Sequence, residues 1–399
     1  MTVALILLLS VIWAFCVYSL SDMAHKAVPR VPADKIPSPL RTLVLTPHDP
    51  ITIDGDAGFL GLNTSTGISQ GSGTASDPYV IEGWDINTTF GVGIFITDSH
   101  VYFRISGCSI HDTTYAGIYL LNADNGTVIG NDCSDGYNGI YVGGSNNTLS
   151  DNICLNNDFR GIFISGSDNF ASNNTCSMNM RGIEVGAIRI ELSNNNCSYN
   201  EIGIGIYSSS NIIASNNTCL SNDYGIYLTR AGPVESNSTR LLDNSCSSNA
   251  EDGIYVYYSS NNTLLRNTCA LNIKYGLRIS DTYSSGNEMW DNTFVGNNGA
   301  GTTYDSNHIQ AYDGGTDNWW NSTEGYGNYW SDWTTPDVAP QDGVVDVPYE
   351  IAGTAGAKDY YPLTTTQTLI PEFGMMPLVV MGLLMIIVLM GEAGRRKAR

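Results

Sequence analysis

Residues 133–164 read CSDGYNGIYVGGSNNTLSDNICLNNDFRGIFI and hold one full period of a repeat. One Asn-x-Cys leads to the next, and one Gly-Ile-aromatic-aliphatic leads to the next. Outward from this stretch, Asn-x-Cys recurs at Cys133, Cys154, Cys176, Cys197, Cys219, Cys246 and Cys269, with Cys108 preceded by Ser-Gly instead. The glycine element recurs at Gly93, Gly117, Gly139, Gly161, Gly182, Gly203, Gly225, Gly253 and Gly276. A period of about 22 residues marks a solenoid, whose units bury their apolar faces only by stacking.

The contents of a unit say which solenoid. Positions Gly+1 and Gly+3 are aliphatic, as in Ile140 and Val142, and a second apolar position lies five residues before the cysteine. That series is Phe103, Val128, Leu149, Ala171, Leu192, Ala214, Leu241, Leu264 and Met289. These are period-two strand signals separated by Asn, Ser, Asp and Gly turns. No unit carries a helical periodicity. About 22 residues at ~3.3 Å each make three short strands with their bends. The expected fold is all-β: a right-handed parallel β-helix of about nine coils with terminal caps, its hand taken from the general crossover rule.

Only 14% of the 399 residues are charged, against about 25% in average globular chains. The formal charge of −21 argues against nucleic acid or anionic lipid as partner and suits cations. Residues 1–21 hold an uncharged apolar run, an export signal or an N-terminal anchor, and 22–50 are a Pro-rich tether. Residues 51–90 read as an N-terminal cap and 91–299 as the repeats. The G-x-S-x-G match at Gly67–Gly71 lacks the strand–turn–helix context of a nucleophile elbow. Residues 300–363 form an aromatic and acidic C-terminal cap, with Trp319, Trp320, Tyr326, Tyr329, Trp330 and Trp333 suited to covering the open core end. Residues 364–399 add a linker, an apolar span long enough to cross a bilayer, and a basic end expected on the cytoplasmic side.

These blocks resemble a known group. The repeats are similar to the NosD-like right-handed β-helix family, grouped with carbohydrate-binding and sugar-hydrolysing β-helix domains. GSGTASDPYVIEGWDI and GNYWSDWTTPDVAPQDGVVDVPYEIAG resemble segments flanking such repeats in archaeal surface proteins. IPEFG before an apolar span and a basic end resembles a PEF-type sorting tail, which implies an archaeosortase partner. The resemblance implies a membrane-anchored cell-surface protein and raises two functions. NosD proteins accompany copper-site maturation of nitrous oxide reductase, yet His25, His48, His100, His111 and His308 form no ligand spacing. The other function is polysaccharide binding or cleavage.

The columns of the solenoid address the second. Stacked cysteines point in parallel ~4.8 Å apart, whereas a disulfide needs convergent Cβ atoms ~3.8 Å apart, so a buried thiol ladder is expected over disulfides or metal. Asparagines two residues earlier (Asn131, Asn152, Asn174, Asn195, Asn217, Asn244, Asn267 and Asn292) are expected to bond along the bends. Ten Asn-x-Ser/Thr sequons fall mostly in turns.

At Gly+2 stand Phe95, Tyr119, Tyr141, Phe163, Glu184, Gly205, Tyr227, Tyr255 and Arg278, which alternation points outward. Their aromatics either stack on one another to stabilise the sheet or form a platform for sugar rings. Arg160 and Arg181, at one place in adjacent coils, are candidates to bind an acidic sugar. A glycosidase needs two carboxyl groups at set separations and a lyase a base beside a bound cation, and this face offers only Glu184, Arg160, Arg181 and Arg278, with Asp252 at an edge. Glycan binding or an envelope role without turnover is therefore the leading expectation, with a lyase or hydrolase and a copper-enzyme accessory as alternatives. Asp337, Asp342 and Asp346, with Gly343 between them, are candidate calcium ligands.

Overall fold

The computed structural model describes residues 45–60, 67–230, 236–338 and 340–366. It is a right-handed parallel β-helix of about nine turns with almost no helix. The glycine elements run along a sheet of eleven strands, from Ile51–Asp54 through Val92–Ser99 and its successors to Ala311–Asp313. A second sheet of ten strands begins at Tyr79–Glu82 and carries the apolar series from Val128 onward. The third side, built from six- and five-stranded segments, carries the cysteines. Residues 46–87 place strands in all three sheets ahead of the first glycine unit. The export segment and the apolar tail lie outside the described residues, and no helix among the described ones is long and apolar enough to cross a membrane.

The glycine sheet exists because Gly+1 and Gly+3 are aliphatic in every unit and stack in register, Ile140 on Ile118 and Ile162 and Val142 on Leu120 and Ile164. Each is fully buried, and such burial contributes about 1.5–3 kcal/mol per side chain. The glycine itself is required by proximity. A Cβ on Gly139 would lie 2.5 Å from the Gly161 carbonyl oxygen and 2.9 Å from Cys154 Cβ.

Cysteines stack as expected from Cys133 on, Cys154 against Cys176 and Cys219 against Cys246 and Cys269, and the column ends in Phe294 and Trp330. All eight described thiols are free and buried. Cys108 differs. Ile110 is the partner of Cys133, and the Cys108 N–H donates to Asn131 Oδ1 at 3.0 Å, so Cys108 occupies the asparagine position of its coil. Phe103 shifts with it, because Ile105 is the residue opposite Val128.

Asparagine builds the corners. Asp151, Asn173, Asn194, Asn216 and Asp243 adopt left-handed φ of 55–57°, which Asn and Asp tolerate better than other residues with a Cβ. Each is followed by a buried asparagine of the column. Asn174 Oδ1 accepts the backbone N–H of Asn152 at 3.0 Å and its Nδ2–H at 2.9 Å, and Asn174 Nδ2 donates to the Leu149 carbonyl. Backbone groups that no strand pairs are thus satisfied at each bend.

Two further ladders stand at the other corners. One runs through Asn157, Asn179, Asn200, Asn222, Asn249, Asn272 and Asn297, and the other includes Asn147–Asn169 and Asn262–Asn287–Asn318. All three close on a buried carboxylate of the C-terminal cap. Asn328 donates to Asp359, Gln310 to Asp332 and Asn318 to Asp313. The same carboxylates accept from Trp330, Tyr349 and Trp320.

Candidate functional site

The outer face of the glycine sheet brings the Gly+2 residues into one column. The register runs Phe95, Tyr119, Tyr141, Phe163, Glu184, Gly205, Tyr227, Tyr255, Arg278 and Tyr312. Neighbouring rings pack on each other: Phe95–Tyr119 at 5.1 Å, Tyr119–Tyr141 at 4.6 Å, Tyr141–Phe163 edge-on at 4.8 Å and Tyr227–Tyr255 at 4.9 Å. Such contacts stabilise a sheet by about 0.2–1 kcal/mol per pair, and they leave each ring half-buried. Burial raises the Tyr119 and Tyr227 phenols above their ordinary value.

A flanking set of rings broadens the face. Tyr115 packs against Tyr119 and Tyr141, Tyr137 against Phe159, and Tyr224 against Tyr227 and Tyr255. Tyr115 and Tyr137 remain 40% and 41% exposed. These residues sit one or two places before the glycine, outside the alternation that picks out Gly+2. Aromatic enrichment just ahead of Gly117, Gly139 and Gly161 was the available signal.

Where the column loses its rings, charge and a displaced tyrosine take over. Arg160 and Arg181 are partners across adjacent strands, as expected, and both guanidinia form ion pairs with Glu184. Glu184 receives Arg160 through Nε at 2.6 Å and a second nitrogen at 3.0 Å, and Arg181 at 2.5 Å. Glu184 is 1% exposed; burial pushes its pKa upward, yet the charges and hydrogen bonds of Arg181 and Arg160 outweigh that and hold it below the usual carboxylate value. Arg160 also lies over Phe159 and Phe163, at 3.8 and 4.4 Å from the ring centroids. Tyr207 folds over Gly205, where a Cβ would lie 2.5 Å from its ring, and it stands beneath Arg181. Glu184, on the same strand as Arg181 and the strand after Arg160, pairs with both, so an acidic ligand at these arginines would compete with it.

At the far end of the face, Arg278 lies near the rings of Tyr255, Tyr275 and Tyr312, and 4.0 Å from Asp252. Burial pushes Asp252 up to about 6, against a backbone hydrogen bond from Tyr275 and the charge of Arg278. Its second oxygen makes no hydrogen bond and is sealed from solvent, so it cannot reach a substrate in this conformation.

The acidic loop of the cap is held by its own backbone. Asp346 accepts the Val338 N–H at 2.7 Å, Asp337 that of Gly343 at 2.9 Å, and Asp342 that of Val344 at 3.1 Å. Among the described residues, no three His, Cys, Asp or Glu side chains are placed to hold a metal ion.

Two family models match the chain: the periplasmic copper-binding protein NosD over residues 76–234, and the right-handed β-helix region over 189–319. No curated protein matches. Among solved structures, the chain resembles the A-module of the Azotobacter vinelandii mannuronan C-5 epimerase AlgE4, with 14% identity over 71% of this chain and 81% of that one, at a TM-score of 0.38. It also resembles the periplasmic alginate epimerase AlgG, with 14% identity over 67% and 82%, at 0.38. An alginate lyase from Paenibacillus sp. strain FPU-7 shares 13% identity over 68% and 95%, at 0.41.

A copper site would want soft or imidazole donors brought together. Here the ladder thiols are sealed in the core, and burial pushes even Cys108 up to about 11. His100, His111 and His308 are each paired with aspartate at separate places. Among the described residues, no donor set fits a bound copper. The matched repeats and the solenoid they build nevertheless make the chain a NosD-like right-handed β-helix repeat protein.

Proposed function

We propose that the chain is a membrane-anchored surface β-helix that binds glycan on the ring-lined face of the glycine sheet without turning it over. One observation carries the reading. Tyr115 and Tyr137 stand 40% and 41% exposed beside the packed column of Tyr119, Tyr141 and Phe163, so aromatic faces and phenol edges line a rigid sheet. Sugar rings offer apolar faces to such a surface and hydroxyls to its edges. Anchoring rests on the apolar segments at both ends of the sequence and on an acidic chain suited to the outside of a cell.

The full chain is to be screened against a glycan array. Replacing Tyr115 and Tyr137 by Ala is expected to weaken the best glycan about tenfold or more, since stacking on exposed rings is removed while the packed column stays. Unchanged binding in that double variant, or binding to no glycan, overturns the assignment. Depolymerisation of the bound glycan would replace it with an enzymatic one. Deletion of residues 371–399 is expected to release the protein into the medium, whereas retention would make the N-terminal segment the anchor.

A further inference from the structure

The second sheet keeps modest outward residues for most of its length. Thr148 and Ser150 are followed by Phe170 and Ser172, Glu191 and Ser193, Ile213 and Ser215, Arg240 and Leu242, then Thr263 and Leu265. The last strand breaks the series with Glu288 and Trp290. Trp319 then bridges onto Glu288, its backbone held by Asn287 and Met289 while its side chain is 58% exposed. A loop overhangs them, shaped by Ser322, whose hydroxyl accepts the backbone N–H groups of Glu324 and Tyr326. Between strand and loop lies a cleft of about 220 Å³ lined by Glu288, Trp290, Trp319, Asn321, Ser322, Thr323 and Glu324.

The cleft is unlike the rest of the cap. Trp320, Trp330 and Trp333 of that cap, and Trp84 at the N-terminal end, all donate their indole N–H to an acceptor inside the protein. Trp290 and Trp319 do not, and no Lys, Arg or His lines the cleft to neutralise Glu288 and Glu324. Two indole faces with two uncompensated carboxylates are complementary to a positive, apolar group. The indole quadrupole attracts a cation over its face, and the carboxylates supply the opposite charge. A neutral sugar would use the rings but leave both charges unmatched.

We propose that the cleft bounded by Trp290, Trp319, Glu288 and Glu324 binds an organic cation bearing a substituted ammonium group. This site is on a different sheet from the tyrosine face and stands independently of glycan binding there.

The test titrates the full chain with choline chloride, with its neutral isostere 3,3-dimethyl-1-butanol, and with glucose, by calorimetry and by the indole N–H resonances. Choline is expected to bind at least about tenfold more tightly than the alcohol and to shift the resonances of Trp290 and Trp319. Trp319→Ala and Glu324→Gln, both exposed substitutions, are each expected to weaken choline by about tenfold while the circular dichroism spectrum is unchanged. Equal binding of choline and the alcohol, preference for glucose, absence of choline binding, or choline binding unaffected by both variants overturns the assignment.

Discussion

Arg160 reaches diagonally across the strands to clasp Glu184 with two nitrogens, at 2.6 and 3.0 Å, while Arg181 holds the same carboxylate from three residues away. One buried anion thus serves two cations stacked on neighbouring strands. Replacing Glu184 by Gln leaves both guanidinia short of a counter-charge, with an expected loss of about 3–5 kcal/mol in chemical denaturation. The triple change Arg160→Met, Arg181→Met, Glu184→Leu is expected to cost far less, because it removes the charges together. Equal losses in the two variants would show that packing, not charge pairing, dominates there.

A corner can be tested at Asn195. Its Oδ1 accepts two donors of Asn174 and its Nδ2 donates to the Ala171 carbonyl at 2.9 Å. Asn195→Ala strands these buried groups, and each orphan costs about 1–3 kcal/mol. The melting temperature should fall by clearly more than for Asn194→Ala, whose side chain faces solvent. Similar melts for the two variants would sink the ladder's structural role.

Burial places Asp252 and Asp359 each at about 6 in the folded chain, against 3.8 for the ordinary carboxyl. A carboxyl whose folded pKa is raised holds its proton in the native state after the unfolded chain has lost it, so these two groups make stability fall as pH rises between about 4 and 6. A two-unit shift corresponds to about 3 kcal/mol for a buried group. Asp252→Asn keeps an oxygen for the Tyr275 N–H and should be more stable than the parent at pH 7.5, with a flatter profile across that window. A parent profile that rises through the window would contradict the sign.

Calcium should leave the acidic loop unmoved. Asp337, Asp342 and Asp346 already accept backbone N–H groups, and among the described residues no three such side chains are placed to hold a metal ion. Thermal melts in calcium and in chelator are expected to coincide, and Asp346→Ala should lower both equally and only slightly, because the Val338 N–H it frees is exposed and turns to water. A calcium-dependent rise abolished by Asp346→Ala would restore the cation reading.

The solenoid was legible because its requirements repeat. Gly139 is needed by the approach of the next strand, and Ile140 and Val142 by the core, so both recur at one period. The Gly+2 column and the pairing of Arg160 with Arg181 follow from that period and from alternation. Two of the three asparagine ladders lie outside the Asn-x-Cys pattern, although Asn179, Asn200 and Asn222 each stand three residues after a column cysteine in a Cys-x-x-Asn spacing. Cys108 was misplaced by its residue type, since Ile110 holds the core position and Cys108 the corner. The capture of both arginines by Glu184 depends on side chains reaching between strands, which strand periodicity does not encode. Nor does it encode the cleft at Trp290 and Trp319, which needs the cap loop folded over the last strand.

The three ladders have a direction. At most steps the backbone N–H and side-chain amide of one asparagine donate to Oδ1 of the next toward the C-terminus, while the same amide also reaches back to a carbonyl of the preceding coil, and the last acceptors are the carboxyls of Asp359, Asp332 and Asp313. The oxygens of those carboxyls are also met by the indole and phenol donors Trp330, Trp320 and Tyr349 of the cap. Each ladder therefore finds its last partner within the chain's own fold, and the buried amides of the final coil are met without a neighbouring molecule.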